Sequence, residues 1–374
     1  MKILHITHNL TSGAGIAVSR LHQALLNAGI NSNVWIKPAT KRQDLPAKLR
    51  RFALTKLHEA CHKPPFLPFS NAHVHTPYEQ EILTAIETHS PDVVHLHWLQ
   101  NDFFPISLLR KIKQPIVWSL HDTWAFTAGC HINAGCNKFT SGCHACPQYK
   151  FLTHHYWKEK RTAYKGTAFK VTVPSSFMQA LAIQSPLFAN KTVDLIPNII
   201  PNSFRQDKKL ANLFSLPSNK KLVLIGSLNP SVDTHKQVLM SLEIIKTLHQ
   251  KDASYVPVIM GETTLTLDLP HITLGAVAPQ QLPNLYNHVQ FTLLTSIQES
   301  FGQMAAESIA CGTPVIAPNH SGFLDIVPEP WRVKEYKNID AYIPLFESNL
   351  QLVPSNQFSD QLVTPKWIAL YNSL

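Results

Sequence analysis

Two glutamates in the stretch QESFGQMAAESIACGTPVIAPNHSG (298–322) have a spacing suited to holding a polyol. Glu299 stands just before Phe301 and Gly302, where a helix is expected to begin, and Glu307 follows a little over two turns later. A carboxylate there can accept hydrogen bonds from vicinal hydroxyls. The helix-start amides of residues 300–303, those of Phe301, Gly302 and Gln303 among them, can grip hydroxyl or phosphate oxygens. Glu307 is placed to reach a second hydroxyl pair, such as that of a ribose. A capped helix with one exposed glutamate is the plainer alternative, but two such positions framed by Ser-Phe-Gly and Ala-Cys-Gly-Thr-Pro favour a ligand.

Other residues suggest chemistry less specifically. His121 and Asp122 close the apolar strand PIVWSLHD (115–122), and strand ends are where α/β sheets meet their ligands. Gly13, Ala14 and Gly15 in SGAG (12–15) form a turn onto a helix whose positive end suits a phosphate; Gly13 and Gly15 would let backbone come close to it. No third glycine follows, so the dinucleotide fingerprint is incomplete and a simple turn explains the loop as well. Cys130, Cys136, Cys143 and Cys146 crowd together with His131 and His144 nearby. Structural zinc, unmetallated thiols and a disulfide are all open to them. Cys61 and Cys311 read as buried small hydrophobes. In VHLHW, His95 and His97 are expected on opposite sides of their strand. Ser175 and Ser176 in PSSF are N-cap candidates.

The elements that must position these residues alternate between strand and helix patterns. MKILHIT, then a helix from the glycine turn to Gly29, then NVWIK make a βαβ unit. DVVHLHW (92–98), PIVWSLHD and FKVTVPSS (169–176) continue the series. Pro197 and Pro201 interrupt VDLIPNIIPNSF (193–204), where a linker is placed. A second series follows: KLVLIGS (221–227), VPVIMGE (256–262), HITLGAV (271–277), VQFTLLTS (289–296) and PVIAP (314–318). The expectation is two doubly wound parallel-sheet domains, 1–198 and 199–374, facing a central cleft, with the last helical segment packing back on the first.

A chain of 374 residues with 44% hydrophobic and 15% charged residues can bury two cores, and disorder is excluded. The net charge of +9 is uneven: residues 1–170 carry 20 Lys and Arg against 9 Asp and Glu, while 171–374 carry 13 against 15. The first half should therefore meet an anionic partner. In residues 41–69, Lys48, Arg50, Arg51 and Lys56 interleave with Leu49, Phe52, Leu54 and Leu57. That segment reads either as a solvated face or as a contact with an anionic membrane surface. The start lacks a signal-peptide core, and no stretch approaches the ~18 apolar residues of a membrane span. A cytoplasmic protein, peripheral on the inner face of the cytoplasmic membrane, is expected. Nucleic acid is disfavoured as a partner because the basic residues are dispersed instead of interleaving with exposed aromatics at one site.

On the Glu299 to Glu307 segment, the SGAG loop and the His121 strand end, nearly the whole chain resembles the retaining nucleotide-sugar glycosyltransferases of family four. The resemblance implies the GT-B architecture, in which Glu299 contacts the donor sugar and Glu307 the ribose. Lys236, in IGSLNPSVDTHKQ, would face the donor diphosphate with help from His235, and Ser227 stands where relatives commonly carry an Arg. His121 would lie near the anomeric centre, completing a catalytic set with Lys236 and Glu299. The Cys130–Cys146 loop resembles that of a subset of the family, which implies a shared structural role. The implied reaction is transfer, with retention, from a nucleoside diphosphate sugar to a hydroxyl of a glycan or glycolipid acceptor. It needs no metal or other cofactor, and bacterial surface polysaccharide or lipopolysaccharide is the implied product. Carboxylates paired as in a glycosidase are missing, which disfavours hydrolysis. The rivals are another GT-B chemistry, such as nucleotide-sugar epimerisation, and a basic zinc-containing nucleic-acid-binding protein. The basic segment predicts that anionic vesicles sediment the protein at low salt and release it at high salt. Equal recovery with neutral vesicles would make residues 41–63 an ordinary solvated face.

Overall fold

The computed structural model describes every residue except 39–60, 62–66, 71–77, 101–102, 228, 230–232, 265–266 and 349. The basic segment from Lys48 to Lys56, and with it the expected membrane contact, lies outside the described residues. The chain divides into two compact units: Met1–Ile196 with Trp367–Leu374, and Pro197–Lys366. Each is built on its own six-stranded parallel sheet.

In the first unit the strands are β1 (Lys2–Thr7), β2 (Asn31–Ile36), β3 (Val93–Leu96), β4 (Ile116–Ser119), β5 (Lys170–Val173) and β6 (Val193–Leu195). They lie in the order β2-β1-β3-β4-β5-β6. Every residue of β3 and β4 is buried, as expected of strands covered on both faces. The helices are α1 (Gly13–Asn27), α2 (Glu79–His89), α3 (Thr153–Tyr164) and α4 (Ser176–Ile183). Val18, Leu21 and Leu25 of α1 recur at helical spacing and are buried, each worth roughly 1.5–3 kcal/mol. Ser175 caps α4, its Oγ accepting from the Met178 amide at 3.2 Å. β6 occupies part of the stretch read as linker. It is an edge strand that ends before Pro197, so the proline breaks no central ladder.

The second unit contains β7 (Lys221–Gly226), β8 (Tyr255–Met260), β9 (Ile272–Gly275), β10 (Phe291–Leu293), β11 (Val315–Pro318) and β12 (Arg332–Val333), in the order β12-β11-β10-β7-β8-β9. Its helices include α5 (Val238–Lys251), α6 (Leu282–His288), α7 (Gln303–Ala310) and α8 (Ile343–Glu347). A last helix, α9 (Asp360–Asn372), starts here, but its residues from Trp367 onward belong to the first unit. There the Tyr371 hydroxyl meets His95 Nδ1 at 2.7 Å. No helix among the described residues is long and apolar enough to cross a membrane.

Each sheet winds outward in opposite directions from one pair of neighbouring strands, β1 and β3 in the first unit and β7 and β10 in the second. Connections that part at such a pair leave open space at the carboxyl ends, where ligands of this architecture bind.

The loop after β4 is anchored by a buried cation. Lys160 of α3 is fully buried, with Nζ 3.6 Å from the centroid of the Trp124 ring, and it donates to the carbonyls of Trp124 at 2.5 Å and Thr127 at 3.1 Å. Burial pushes its ammonium down to about 7. The unfolded lysine holds its proton to about pH 10.4, so the unfolded state binds more protons from pH 7 upward and stability rises with pH there. Buried thiols act in the opposite sense at higher pH: burial pushes Cys143 up to about 11. Urea midpoints should therefore climb between pH 7 and about 8.5, and less steeply in Lys160→Met. Equal slopes in the two proteins would show that burial does not hold the Lys160 ammonium below its ordinary range.

Candidate active site

The switch between β7 and β10 gathers the candidates of the second unit. Ser227 follows β7, and the turn carrying Glu299 follows β10. Glu299 Oε1 accepts from Lys236 Nζ at 2.5 Å and from Ser296 Oγ at 2.8 Å, while its amide donates to Ser321 Oγ at 3.1 Å. Burial favours the neutral acid, but Lys236, Ser296 and His235 outweigh it and hold the carboxyl below its ordinary value. Lys236 ends a short turn ahead of α5, and Thr295 Oγ1 ties that turn to the site by donating to the Lys236 and Gln237 carbonyls.

Ser321 and Gly322, after β11, close over the same turn. The Gly322 amide donates to the Glu299 carbonyl at 2.9 Å, and a Cβ on Gly322 would lie 2.4 Å from the Phe301 carbonyl oxygen. A side chain there would push the turn away, so glycine is required. Ser296, Ser321 and Gly322 were not assigned roles from sequence. The available signal was the Ser-Gly pair three residues past the end of a buried strand.

Glu307 lies on α7 at 2% exposure, with Oε2 accepting from the Tyr286 hydroxyl at 2.8 Å and Oε1 from Gln303 Nε2 at 3.2 Å. Both oxygens are thus engaged by protein groups. The Phe301 ring packs in the core against Phe358, leaving only its backbone for a ligand, and Gly302 caps α7 without a side-chain partner. Ser227 is buried, and among the described residues its Oγ has no hydrogen-bond partner. An unmatched buried hydroxyl at a sheet's carboxyl edge is a group that a ligand can satisfy.

In the first unit, His121 and Asp122 follow β4. Asp122 is the hub of its loop, accepting from Trp98 Nε1 at 2.9 Å, the Trp124 amide at 2.9 Å and Gln100 Nε2 at 3.2 Å, with His131 Nδ1 at 2.7 Å. Burial pushes its carboxyl up, but His131 and these donors outweigh it, leaving Asp122 below its ordinary value. These bonds hold the loop that carries His121. His121 Nε2 lies 3.2 Å from His97 Nδ1, and its own Nδ1 has no hydrogen bond to a described residue.

Two expectations are corrected here. His95 and His97 do not face opposite sides: their ring centroids are 4.0 Å apart. Residues i and i+2 of a strand share a face, and only neighbours alternate. Gly15 does not open the backbone to a ligand either, because a Cβ there would lie 2.5 Å from the Asn9 carbonyl oxygen. Its role is the close packing of loop 9–10. Gly13 has nothing within 4 Å of where its Cβ would be. The Ser12 side chain takes the Gly15 amide at 3.2 Å, leaving those of Gly13 and Ala14 as uncapped first-turn donors.

All six cysteines are free thiols. Cys130, Cys143 and Cys146 are buried and Cys136 is partly so. A hydrogen bond with Cys146, together with burial, raises the Cys130 thiol well above its ordinary value. Among the described residues, the one group of three or more His, Cys, Asp or Glu ligand atoms within 4.8 Å of one another is His5, His95 and His97. The four cysteines are not such a group, although Cys130 bonds Cys146 and feels the charges of Cys143 and Cys136, so the four thiols lie near one another.

Two family models match the chain: Glycosyltransferase Family 4 over residues 11–204 and Glycosyl transferases group 1 over residues 211–330. WcaC of Escherichia coli (strain K12), which carries the provisional name of a colanic acid biosynthesis glycosyl transferase, is 27% identical over 164 residues, 39% of this chain. That match spans only 40% of the relative's own length. Among solved structures, sucrose-phosphate synthase of Thermosynechococcus elongatus superposes with a TM-score of 0.68 at 14% identity, covering 100% of this chain and 99% of that one. Anabaena Alr3699/HepE, solved with UDP and glucose, gives 0.62 at 15% identity and covers 100% of both chains. At such identities the likeness shows the fold, which is GT-B.

Burial lowers His5 to about 3 and His121 to about 4, and keeps His95 and His97 well below the ordinary value. The unfolded state takes up protons near pH 6.5 that the folded state refuses. This part of the stability is therefore complete above that pH and is lost as pH falls toward 4. Urea midpoints should drop from pH 7 to pH 5, and drop less in His5→Phe; parallel losses would show that the buried imidazoles do not carry the effect.

Proposed function

Because the chain belongs to Glycosyltransferase Family 4, we propose that it transfers a sugar from a nucleoside diphosphate sugar to a hydroxyl acceptor with retention of anomeric configuration. The observation that carries this reading is the 2.5 Å pair between Lys236 and Glu299 at the carboxyl edge of the β7–β10 switch. The two ions are opposite charges suited to two parts of one donor: an ammonium for the diphosphate and a carboxylate for sugar hydroxyls. They hold each other in the free protein, so neither is buried alone, and a donor carrying both groups can replace each partner. Ser296 and Ser321 keep Glu299 in place during that exchange.

As the bond to the diphosphate breaks, negative charge grows on the leaving group. Lys236 and the helix-start amides near Gly302 are the donors placed to stabilise it, so catalysis rests on orientation and preorganised charge, with no cofactor required. Ser227 in place of the commoner Arg leaves Lys236 as the principal cation of this clamp. Glu307 would reach the ribose through exchange with Gln303. His121, next to the loop that Asp122 organises, is assigned to the sugar near its anomeric centre, and the Gly13–Ala14 turn to an acceptor or phosphate.

The partial likeness to WcaC supports an acceptor of the surface polysaccharide or lipopolysaccharide kind. The basic first half suits an anionic glycolipid presented at the inner face of the cytoplasmic membrane. With a panel of nucleoside diphosphate sugars and membrane extract, wild type should release nucleoside diphosphate and build an acceptor-linked sugar of unchanged anomeric configuration. Glu299→Ala and Lys236→Met should each lose roughly 10²–10³-fold in kcat while melting cooperatively. Near-normal turnover in Glu299→Ala would sink the assignment, and donor consumed without any acceptor would mark an epimerase instead.

A further inference from the structure

Three histidines, on β1 and just past the ends of β3 and β4, form a chain of ring-to-ring hydrogen bonds leading into the core of the first unit. His121 Nε2, past the end of β4, lies 3.2 Å from His97 Nδ1, and His97 Nε2 lies 2.9 Å from His5 Nδ1 on β1. The chain stops at His5 Nε2, which is buried and has no partner among the described residues. His5 and His97 are at most 3% exposed. Their neighbour His95 stands apart from the chain: its Nδ1 meets the Tyr371 hydroxyl and its Nε2 the Ser119 hydroxyl, both at 2.7 Å. With both nitrogens occupied, His95 has no lone pair to offer a cation. His5 and His97 already use one nitrogen each on the other, so the trio is built as a hydrogen-bonded set and not as a metal centre.

A neutral imidazole has one N–H and one lone pair. Two consecutive bonds through His97 can therefore point only one way at a time. If all donors point toward His121, the unpaired atom at the buried end is the lone pair of His5 Nε2. If they point away, it is a buried N–H. Orphaned buried N–H groups are rarer in proteins than acceptors with a lone pair unmatched. The first direction is therefore the resting one: His5 donates to His97, His97 donates to His121, and His121 carries its own proton on Nδ1.

We propose that His97 and His5 are positioning residues that lock His121 into the Nδ1–H tautomer, so that it presents an N–H donor, never a lone pair, to its ligand. The role of that donor at the sugar rests on the glycosyltransferase reading; the tautomer does not. An N–H there donates to a sugar oxygen, whereas a lone pair in its place could only accept from a sugar hydroxyl and would reverse the direction of the bond. Burial supports the arrangement by holding all three rings neutral at pH 7. Trp118 Nε1, donating to the His97 carbonyl at 3.2 Å, fixes the middle of the chain.

Long-range ¹H–¹⁵N spectra of the full-length protein, labelled at histidine and read at pH 7.5, report the protonated nitrogen of each ring directly. His121 is identified by the signals that disappear in His121→Gln. The expected result is an Nδ1–H tautomer for His121 and His97 in wild type, and loss of the single His121 tautomer, to a mixture with Nε2–H, in His97→Phe. An Nε2–H tautomer for His121 in wild type overturns the proposal, as does one equivalent of metal in the purified protein that is lost in His5→Phe, by elemental analysis. With the donor and acceptor of the transfer assay, His97→Phe should lose about 10–100-fold in kcat with little change in donor KM; an unchanged kcat would remove the functional half. Should the wild type transfer no sugar at all, the glycosyltransferase reading fails while the spectra still decide the tautomer.

Discussion

Parallel strands buried on both faces leave a sheet little room for polar chemistry except at its edge, and that constraint shapes both units. β3 and β4 are buried along their whole length. Open ends lie where the chain leaves neighbouring strands in opposite directions, at β1–β3 and at β7–β10. Ser227 and Glu299 follow β7 and β10, while the glycine turn and His97 follow β1 and β3. The chemistry sits at these points because the backbone there is free to turn and the interior behind it is rigid.

Low dielectric behind that edge sets the second rule, that each polar group must find a partner. Glu299 is ionised because Lys236 and Ser296 outweigh the cost of its burial. Asp122 stays ionised through His131, Trp124 and Trp98. The histidines reach the same end differently: burial strips their charge, and neutral rings can bond one to the next. Two of the exceptions among the described residues, Ser227 Oγ and His5 Nε2, are informative for that reason. One lies at an edge where a ligand can reach it, and the other ends an internal chain where nothing does.

Much of the fold was legible in the order of apolar runs and turns, because strand and helix periodicities are local properties. The N-cap at Ser175 was readable for the same reason, since a cap needs only the residues within one turn. β6 was obscured by the prolines beside it, and its edge position, which makes them tolerable, depends on strand order and not on composition. Gly15 was assigned to a ligand because spacing alone cannot tell close approach by a phosphate from close approach by loop 9–10. Gly322 was passed over because its constraint, the Phe301 carbonyl, lies twenty-one residues away in sequence. The cysteine spacing left zinc, thiols and a disulfide open, and only three-dimensional convergence distinguishes them.

By itself the sequence determined the two α/β series, the polyol-suited pair Glu299 and Glu307, and the strand end carrying His121, all of which follow from nearest-neighbour periodicity and side-chain type. Tertiary structure alone decided which groups hold one another: Lys236 with Glu299, Tyr286 and Gln303 with Glu307, and His5 with His97 and His121. Those pairings cross 63 residues in the first case and 92 between His5 and His97. Hydrogen bonds and charges act over a few ångströms of space, so the protonation and orientation of each group were set only once strand order had brought its partner alongside.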